Sequence, residues 1–294
     1  MAVLIDPPRW PAHGTVFSHL VSDASLTELH EFAEAAGIPP RAFDHDHYDV
    51  PERRFADLVS RGARAVSATE LMRALLGSGL RVRTPHRTPK RAAVLPGLRA
   101  AWAELAPDAA DLGEELLQRW GEPHRSYHDV RHLAQCLHAL DAIAAAEPVA
   151  DTVRLAAWFH DAVYVGRHGA DEDESAALAL DALTTAGIPG GEEVARLVRL
   201  TASHSPEAGD VPGAQLCDAD LSILGQTAGR YHVYVRDVRL DFEHLTDADF
   251  RAGRLRVLEQ LLALDPLFRT DTGRRLWATR ARANLEDERR RWLA

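Results

Sequence analysis

The chain has 294 residues, 46% of them hydrophobic, and a formal net charge of -10 at pH 7. This length exceeds the usual size of a single hydrophobic core, so we expect two domains. The acidic balance argues against general binding to duplex nucleic acid, and no stretch approaches the ~18 consecutive apolar residues that cross a bilayer.

The first eighty residues alternate between strand and helix signals. The apolar run at residues 2–5 ends at Asp6 and a Pro-Pro breaker, as expected of a buried strand. Residues 25–36 carry apolar side chains at helical spacing behind the N-cap residue Ser25. Further helices are predicted near 51–60 and 68–77, and a short strand near 63–66. This order predicts a small α/β domain over residues 1–80.

Acidic and imidazole side chains are concentrated in this N-terminal region. They can form a polar site at the ends of strands, where open α/β sheets bind ligands. Alternatively, the segment 44–49 is a capped turn, which is the interpretation we favour. The residues concerned are Asp6, His19, Asp23, Asp44, Asp46 and His47.

Residues 81–96 are rich in Arg, Thr and Pro and are predicted to form an interdomain linker. Beyond them the strand signals almost vanish, and no repeat of ~30–50 residues is visible, so a closed all-helical bundle is expected over 97–294. The predicted fold class is therefore α+β. Helices are expected at 97–105, 110–120, 126–146, 150–164, 172–186, 190–204, 213–224, 227–243, 248–263 and 272–291.

The only two cysteines, Cys136 and Cys217, lie far apart in apolar helical sequence. This spacing favours buried thiols in a reducing compartment over a disulfide framework. We therefore expect a soluble, cytoplasmic protein in which neither thiol is a nucleophile.

Several of the fifteen histidines have neighbours that indicate a metal site. In the helix predicted to open at Ser126, His128 and His132 are spaced i,i+4 and share one face. His160 and Asp161 follow a strongly apolar run, where burial of an imidazole and a carboxylate is costly unless a partner compensates. A divalent cation would compensate both.

Asp218 and Asp220 stand in another apolar segment, LCDADLSILG. Their burial is equally costly without a metal or hydrogen-bond partners. Because residues two apart on a helix point about 200° apart, only one of them can face a metal well. The other is expected to be a cap or a salt-bridge partner.

Together, these motifs resemble the HD superfamily of metal-dependent phosphohydrolases over about residues 110–290. The family pattern of His, then His-Asp, then a distant Asp maps onto His132, His160, Asp161 and Asp220. The segments YHDVRHL, AAWFHDAVY, EDESA, DADLSILG, FRAGR and ARANLEDE are similar to those of one bacterial subfamily of predicted HD phosphohydrolases. Residues 1–80 resemble a small bacterial domain of unknown function that is sometimes attached to such hydrolases.

The resemblance implies a divalent cation (Mg, Mn, Fe, Zn, Ni or Co) held by the four mapped residues, with Asp161 also catalytic. Such an ion lowers the pKa of a bound water and polarises a phosphoryl oxygen. For the general base, the resemblance points to Glu172 or Asp173. At these positions the subfamily shows Asn-Glu-Glu, whereas this chain has Asp171-Glu172-Asp173.

Other side chains are candidates for supporting roles. His128, His204 and Asp218 can add a metal ligand or hold one in place. Guanidinium groups can bind phosphate bidentately, and three of them lie in the C-terminal motifs, namely Arg236, Arg239 and Arg254.

The first expectation for function is hydrolysis of a nucleotide or another small phosphate ester. Two alternatives keep the metal, namely a catalytically silent nucleotide sensor and a di-iron oxygenase in which His204 and Glu172 matter more. No membrane or nucleic-acid partner is indicated, and an oligomer is compatible with the sequence.

Overall fold

The computed structural model describes residues 2–293. The strands in this span are β1 (Val3–Ile5), β2 (Trp10–Ala12), β3 (Thr15–Ser22), β4 (Tyr48–Pro51) and β5 (Arg64–Ala65). The α-helices are α1 (Leu26–Ala35), α2 (Phe55–Ser60), α3 (Ala68–Gly77), α4 (Arg91–Leu105), α5 (Ala110–Trp120), α6 (Val130–Ala144), α7 (Asp151–Phe159), α8 (Ala170–Thr185), α9 (Gly191–Leu200), α10 (Val211–Asp220), α11 (Ala228–Asp241), α12 (Asp247–Ala263), α13 (Asp271–Leu276) and α14 (Ala278–Leu293). The predicted α+β class is confirmed, because the strands of the described span all precede residue 66 and helices follow.

The chain forms two compact units, and each is discontinuous in sequence. The first unit comprises the chain up to Thr88 together with Thr227–Arg236. The second comprises Pro89–Gln226 and the chain from Asp237 onward. Helix α11 therefore contributes residues to both units.

The sheet of the first unit has the strand order β2-β3-β1-β5, and β4 pairs with β3. Strand β1 is antiparallel to β3 and parallel to β5. Because side chains alternate across a strand, Val3 and Ile5 pack into one apolar cluster and Leu4 into another. The larger cluster also takes in Val233 of α11.

In the first unit, serine residues cap the N-termini of α1 and α3. The Ser25 hydroxyl accepts a hydrogen bond from the Glu28 backbone N–H at 3.1 Å. Ser67 and Glu70 form a reciprocal capping box at the start of α3. Each cap satisfies backbone donors that a helix leaves open at its first turn.

Three helices of the second unit position the candidate site. Helices α6, α7 and α10 pack against one another, and α7 is apolar enough to bury Val153 and most of its last turn. This packing brings the first turn of α6 close to the C-terminal ends of α7 and α10. Trp120 and Trp158 are fully buried in this unit.

Several boundaries differ from the sequence-based predictions. Helix α4 begins at Arg91, so residues 91–96 of the segment predicted as a linker are helical. Helix α7 ends at Phe159, and the predicted C-terminal helix is divided at Trp277. Among the described residues, no helix combines the length and apolarity that crossing a membrane would require.

Candidate metal centre

Helix α6 begins later than predicted. The carboxylate of Asp129 accepts a hydrogen bond from the Arg131 backbone N–H at 2.7 Å and so caps the helix. His128 consequently lies in the loop before α6, and the prediction that it shares a helix face with His132 was wrong. His132 lies in the first turn of α6 and is buried.

Four side chains predicted as metal ligands come together at the ends of α6, α7 and α10. His132 Nε2 lies 3.0 Å from Asp220 Oδ1 and 3.1 Å from His160 Nε2. His160 Nε2 lies 3.4 Å from Asp161 Oδ2 and 3.7 Å from Asp220 Oδ1. The two imidazoles are almost completely buried, whereas the carboxylates retain some solvent contact. These distances suit donor atoms that share one cation.

The second ring nitrogen of each imidazole is held by a partner outside the cluster. His160 Nδ1 lies 2.8 Å from the backbone carbonyl of Ala157, a geometry that places the proton on Nδ1. His132 Nδ1 lies 3.0 Å from the Tyr127 hydroxyl. The neutral tautomer that the Ala157 carbonyl favours leaves a lone pair on His160 Nε2, which faces His132 Nε2 at 3.1 Å. A proton or a metal ion between the two nitrogens satisfies this lone pair, so the residues present fit a cation.

The charges of the cluster point the same way. Burial alone would raise the pKa of Asp220, but His160, His132 and His204 outweigh burial and hold that pKa well below its usual range. Burial is also the main cause that lowers the pKa of His132. The cluster therefore combines an ionised carboxylate with a neutral imidazole, which are the states that bind divalent metals.

His204 joins the cluster through Asp220. Its Nε2 lies 2.7 Å from Asp220 Oδ2, the oxygen that does not face His132. The residue follows α9 and has a φ of 49°, a left-handed conformation that few residues other than glycine adopt. His204 thus orients the Asp220 carboxylate.

His128 is fixed by a carboxylate that the sequence analysis did not identify. Its Nδ1 lies 2.7 Å from Asp241 Oδ2, and the Asp241 carboxylate also accepts backbone N–H groups of Ser126, Tyr127 and His128. Burial lowers the pKa of His128, but Asp241 and Asp161 reverse that effect and raise it. The ring also stacks on Tyr164, with 4.2 Å between centroids.

Cys136 belongs to the same group of side chains. Its Sγ lies 3.7 Å from both nitrogens of His132. Burial, together with Asp220 and Asp161, raises the pKa of this thiol well above its usual value. Burial therefore favours the protonated form of the thiol, which packs against the imidazole. Its Sγ is also one of the potential ligand atoms of His132, Cys136, His160 and Asp220 that lie within 4.8 Å of one another.

The fully buried Arg125 connects the segments that carry the site. Its guanidinium donates to the carbonyl oxygens of Asp161 at 2.6 Å, Ala162 at 3.2 Å and His128 at 3.2 Å. The same group lies over the ring of Trp120. Neither Arg125 nor Asp241 was a candidate from the sequence, because most of their partners are backbone groups that no side-chain spacing reveals.

The other acidic candidates have partners outside the cluster. Asp218 accepts from the Thr270 hydroxyl at 2.7 Å and from the backbone N–H of Arg269, as expected for the member of the Asp pair that faces away. Glu172 accepts the backbone N–H of Gly169 at 2.6 Å at the start of α8. Asp173 is exposed and pairs with Arg199.

The three predicted phosphate-binding arginines also have other partners. Arg254 forms a bidentate, buried ion pair with Glu288. Arg239 donates to the Phe242 carbonyl and pairs with Asp247. Arg236 donates to the Phe43 carbonyl.

Comparisons with known proteins bear on the N-terminal region. The family model described as "Protein of unknown function (DUF4031)" matches residues 3–78. No curated protein and no solved structure matches the chain.

Proposed function

We propose that the helical unit is a metal-dependent phosphohydrolase of the HD type that acts on a nucleotide or another small phosphate ester. The observation that supports this most directly is the convergence of His132 Nε2, His160 Nε2, a carboxylate oxygen of Asp161 and one of Asp220. The order of these residues along the chain is that of the HD pattern.

Two imidazole nitrogens and two carboxylate oxygens suit a first-row divalent ion such as Mn²⁺, Fe²⁺, Co²⁺, Ni²⁺ or Zn²⁺, and Mg²⁺ less well. When bound, such an ion supplies an acidified water and polarises a phosphoryl oxygen. Asp161 and Asp220 keep partial solvent contact, so a substrate can approach from the carboxylate side of the cluster.

We propose His128 as the side chain that exchanges a proton with the substrate. Asp241 occupies its Nδ1 at 2.7 Å, so Nε2 is the nitrogen that can meet a leaving group or a phosphoryl oxygen. Because Asp241 favours the protonated ring, Nε2–H can donate to an anionic oxygen. This proton transfer does not require Arg236, Arg239 or Arg254, which have partners within the protein.

The test begins with metal content. Purified chain and the variant His160→Ala are compared by elemental analysis, followed by a phosphate-release screen over nucleotides and small phosphomonoesters and phosphodiesters. His138→Ala is the matched control, because His138 is an exposed histidine on α6 outside the cluster.

We expect metal and turnover to be lost in His160→Ala and kept in His138→Ala. Equal metal content and activity in both variants would refute the proposed site. A third outcome is that His160→Ala loses metal but the native chain releases no phosphate from any substrate tested. That result would favour the catalytically silent sensor over the hydrolase. Two irons per chain and oxygen-dependent turnover would indicate the oxygenase.

A further inference from the structure

A second cluster of potential ligands lies on the sheet of the first unit. His19 on β3 is the direct cross-strand partner of Asp49 on β4. His47 lies directly before β4 and precedes Asp49 by two residues. Antiparallel pairing places His19 beside Asp49, and the His19 and His47 rings are 5.0 Å apart.

The potential ligand atoms of the three side chains converge. Asp49 Oδ1 lies 3.5 Å from His47 Nε2 and 3.9 Å from His19 Nε2. Ligands about 2.0–2.1 Å from a tetrahedral ion stand roughly 3.3 Å apart, so these two distances are close to those of coordinating atoms. The cluster is a group of side chains whose ligand atoms all lie within 4.8 Å of one another.

A buried carboxylate holds the far nitrogen of each imidazole. His19 Nδ1 lies 3.1 Å from Asp6 Oδ2, and His47 Nδ1 lies 2.7 Å from Asp46 Oδ1. The carboxylates of Asp6 and Asp46 are almost fully buried. Metal-binding histidines characteristically donate their second N–H to such a carboxylate, which fixes the tautomer and leaves the other nitrogen for the metal.

Both carboxylates are themselves fixed by the backbone. Asp6 accepts the His19 N–H at 2.6 Å, and Asp46 accepts the Val82 N–H at 2.6 Å. Arg81 also donates to both oxygens of Asp46 at 3.2 Å. Each imidazole is thus held from behind by a group with little freedom to move.

We propose that the first unit binds a divalent transition-metal ion of the Zn²⁺ type through His19 Nε2, His47 Nε2 and a carboxylate oxygen of Asp49. Two imidazoles and one carboxylate are a donor set that catalytic zinc sites use, with water or substrate in the remaining position. The side chains of His19 and Asp49 are 26% and 47% exposed, so that position opens toward solvent. This site is independent of the function proposed for the helical unit.

The sequence analysis favoured a capped turn in this region. A turn is present, since Asp44 N–H donates to the His47 carbonyl at 2.8 Å and His45 has a φ of 62°. The turn and the cluster coexist, because the turn delivers His47 to the start of β4. Two of the residues first grouped here point elsewhere, Asp23 to the Ala2 N–H and Asp44 to His45 and Arg87.

The experiment uses the full chain, stripped with a chelator and then dialysed against low-micromolar free Zn²⁺. Zinc per chain is counted in the native protein and in His19→Gln, His47→Gln and Asp49→Asn. Asp44→Asn is the matched control, because it makes the same charge change on a 40% exposed carboxylate three residues from His47. Circular dichroism checks that each variant is folded.

We expect Asp49→Asn, His19→Gln and His47→Gln each to lose one zinc per chain, while Asp44→Asn keeps it. Asp6→Asn should weaken that zinc by about 10–100-fold while the three ligands remain. Equal zinc in Asp49→Asn and Asp44→Asn would overturn the proposal. Full zinc in His19→Gln would also overturn it, because the zinc would then be bound without one of its three proposed ligands. A simple ion pair between His47 and Asp49 would explain the geometry in that case, since it does not need His19.

The count also separates this site from the helical one. His160→Ala should remove a different equivalent of metal, and its loss should add to that of Asp49→Asn. If the cluster of the helical unit binds no metal, the native chain still carries the zinc that Asp49→Asn removes. A native chain without zinc under these conditions would overturn the proposal for the first unit.

Discussion

Asp241 shows how one carboxylate can organise a loop that carries functional groups. Its side chain is fully buried and accepts three consecutive backbone N–H groups as well as His128 Nδ1. Backbone donors that no helix or strand satisfies need such an acceptor. The position of His128 therefore depends on a residue more than a hundred positions away in sequence.

We expect Asp241→Asn to destabilise the second unit by about 2–4 kcal/mol at pH 7, because an amide cannot accept from all four donors and presents its own unmatched N–H groups. Although burial opposes it, the hydrogen bond to His128 lowers the pKa of Asp241. Its contribution is therefore complete above the ordinary aspartate pKa of about 3.9 and is lost as the pH falls through the lowered value.

Urea unfolding of the native chain and of Asp241→Asn at pH 7 and at a pH below the lowered pKa of Asp241 measures this difference. The gap between the two should be large at neutral pH and narrower in acid. A gap that is absent at pH 7 would show that the loop does not depend on the carboxylate.

A second residue-scale prediction concerns Arg254, which the sequence placed among the phosphate-binding groups. In the structure Arg254 and Glu288 are almost fully buried against each other, and removing one partner leaves an uncompensated charge. We expect Arg254→Met to cost about 3–5 kcal/mol of unfolding free energy. Thermal and urea unfolding measure this cost.

Arg251→Met is the control, since Arg251 is exposed on the same helix and its loss should stay within about 0.5 kcal/mol. If Arg254→Met were as stable as this control and instead raised KM for a phosphate ester, the arginine would bind substrate as first expected.

At this scale the sequence identifies residues whose chemistry is unusual for their surroundings. His160 and Asp220 stood out because polar side chains in apolar helices need a compensating partner. The choice of His132, and of Asp220 over Asp218, came from the resemblance to the HD pattern. Arg125 and Asp241 were not recognised, because their buried partners are mostly backbone atoms. Asp49 was missed for another reason, since its relation to His19 depends on strand register.

At the scale of secondary structure, two helical glycines have opposite surroundings. A Cβ at Gly229 in α11 would lie 2.0 Å from the His45 carbonyl oxygen and 2.6 Å from Val82. A Cβ at Gly253 in α12 would meet only the flexible end of Arg256, at 3.8 Å. Gly253 lies in the interior of α12, where alanine gains most in helix propensity, whereas Gly229 is the second residue of α11.

We expect Gly229→Ala to destabilise the protein by about 1–3 kcal/mol, because backbone must move to admit the methyl group. Gly253→Ala should stabilise it by up to about 1 kcal/mol, the usual gain when alanine replaces glycine within a helix. Chemical denaturation of both variants measures the two effects. Equal changes would mean that α11 does not pack closely on His45.

Periodicity located the helices well, but it located their ends less well. The first residue of a helix depends on capping side chains such as Asp129. Its carboxylate accepts the Arg131 backbone N–H and so sets the start of α6. The start of α4 within an Arg- and Pro-rich segment had no strong apolar pattern. Packing rather than propensity therefore decides that boundary.

At the scale of the whole molecule, the sequence predicted two consecutive domains, whereas each compact unit draws on two separate parts of the chain. Val233 lies in the apolar core of the first unit, and His232 stacks on His30 with 4.8 Å between ring centroids. Composition cannot reveal this arrangement, because nothing in α11 marks it as belonging with residues far upstream.

We expect a fragment of residues 1–88 to unfold without a cooperative transition, because the segment 227–236 that completes its core is missing. A version with residues 227–236 attached through a flexible Gly/Ser linker should regain cooperativity. Heat-induced unfolding followed by circular dichroism compares the two. A fragment 1–88 that melts as sharply as the extended version would show that residues 3–78, the span of the family match, fold independently.

The split of α11 between units has a consequence for synthesis of the protein. Residues 1–88 emerge from the ribosome when roughly 140 further residues must still be synthesised before the segment that completes their core. At typical elongation rates this takes on the order of 10 s. During that time the apolar cluster of the first unit lacks Val233, and part of its surface is exposed on the nascent chain. A chaperone that binds apolar segments should therefore associate with the nascent first unit and leave it after residue 236 has emerged.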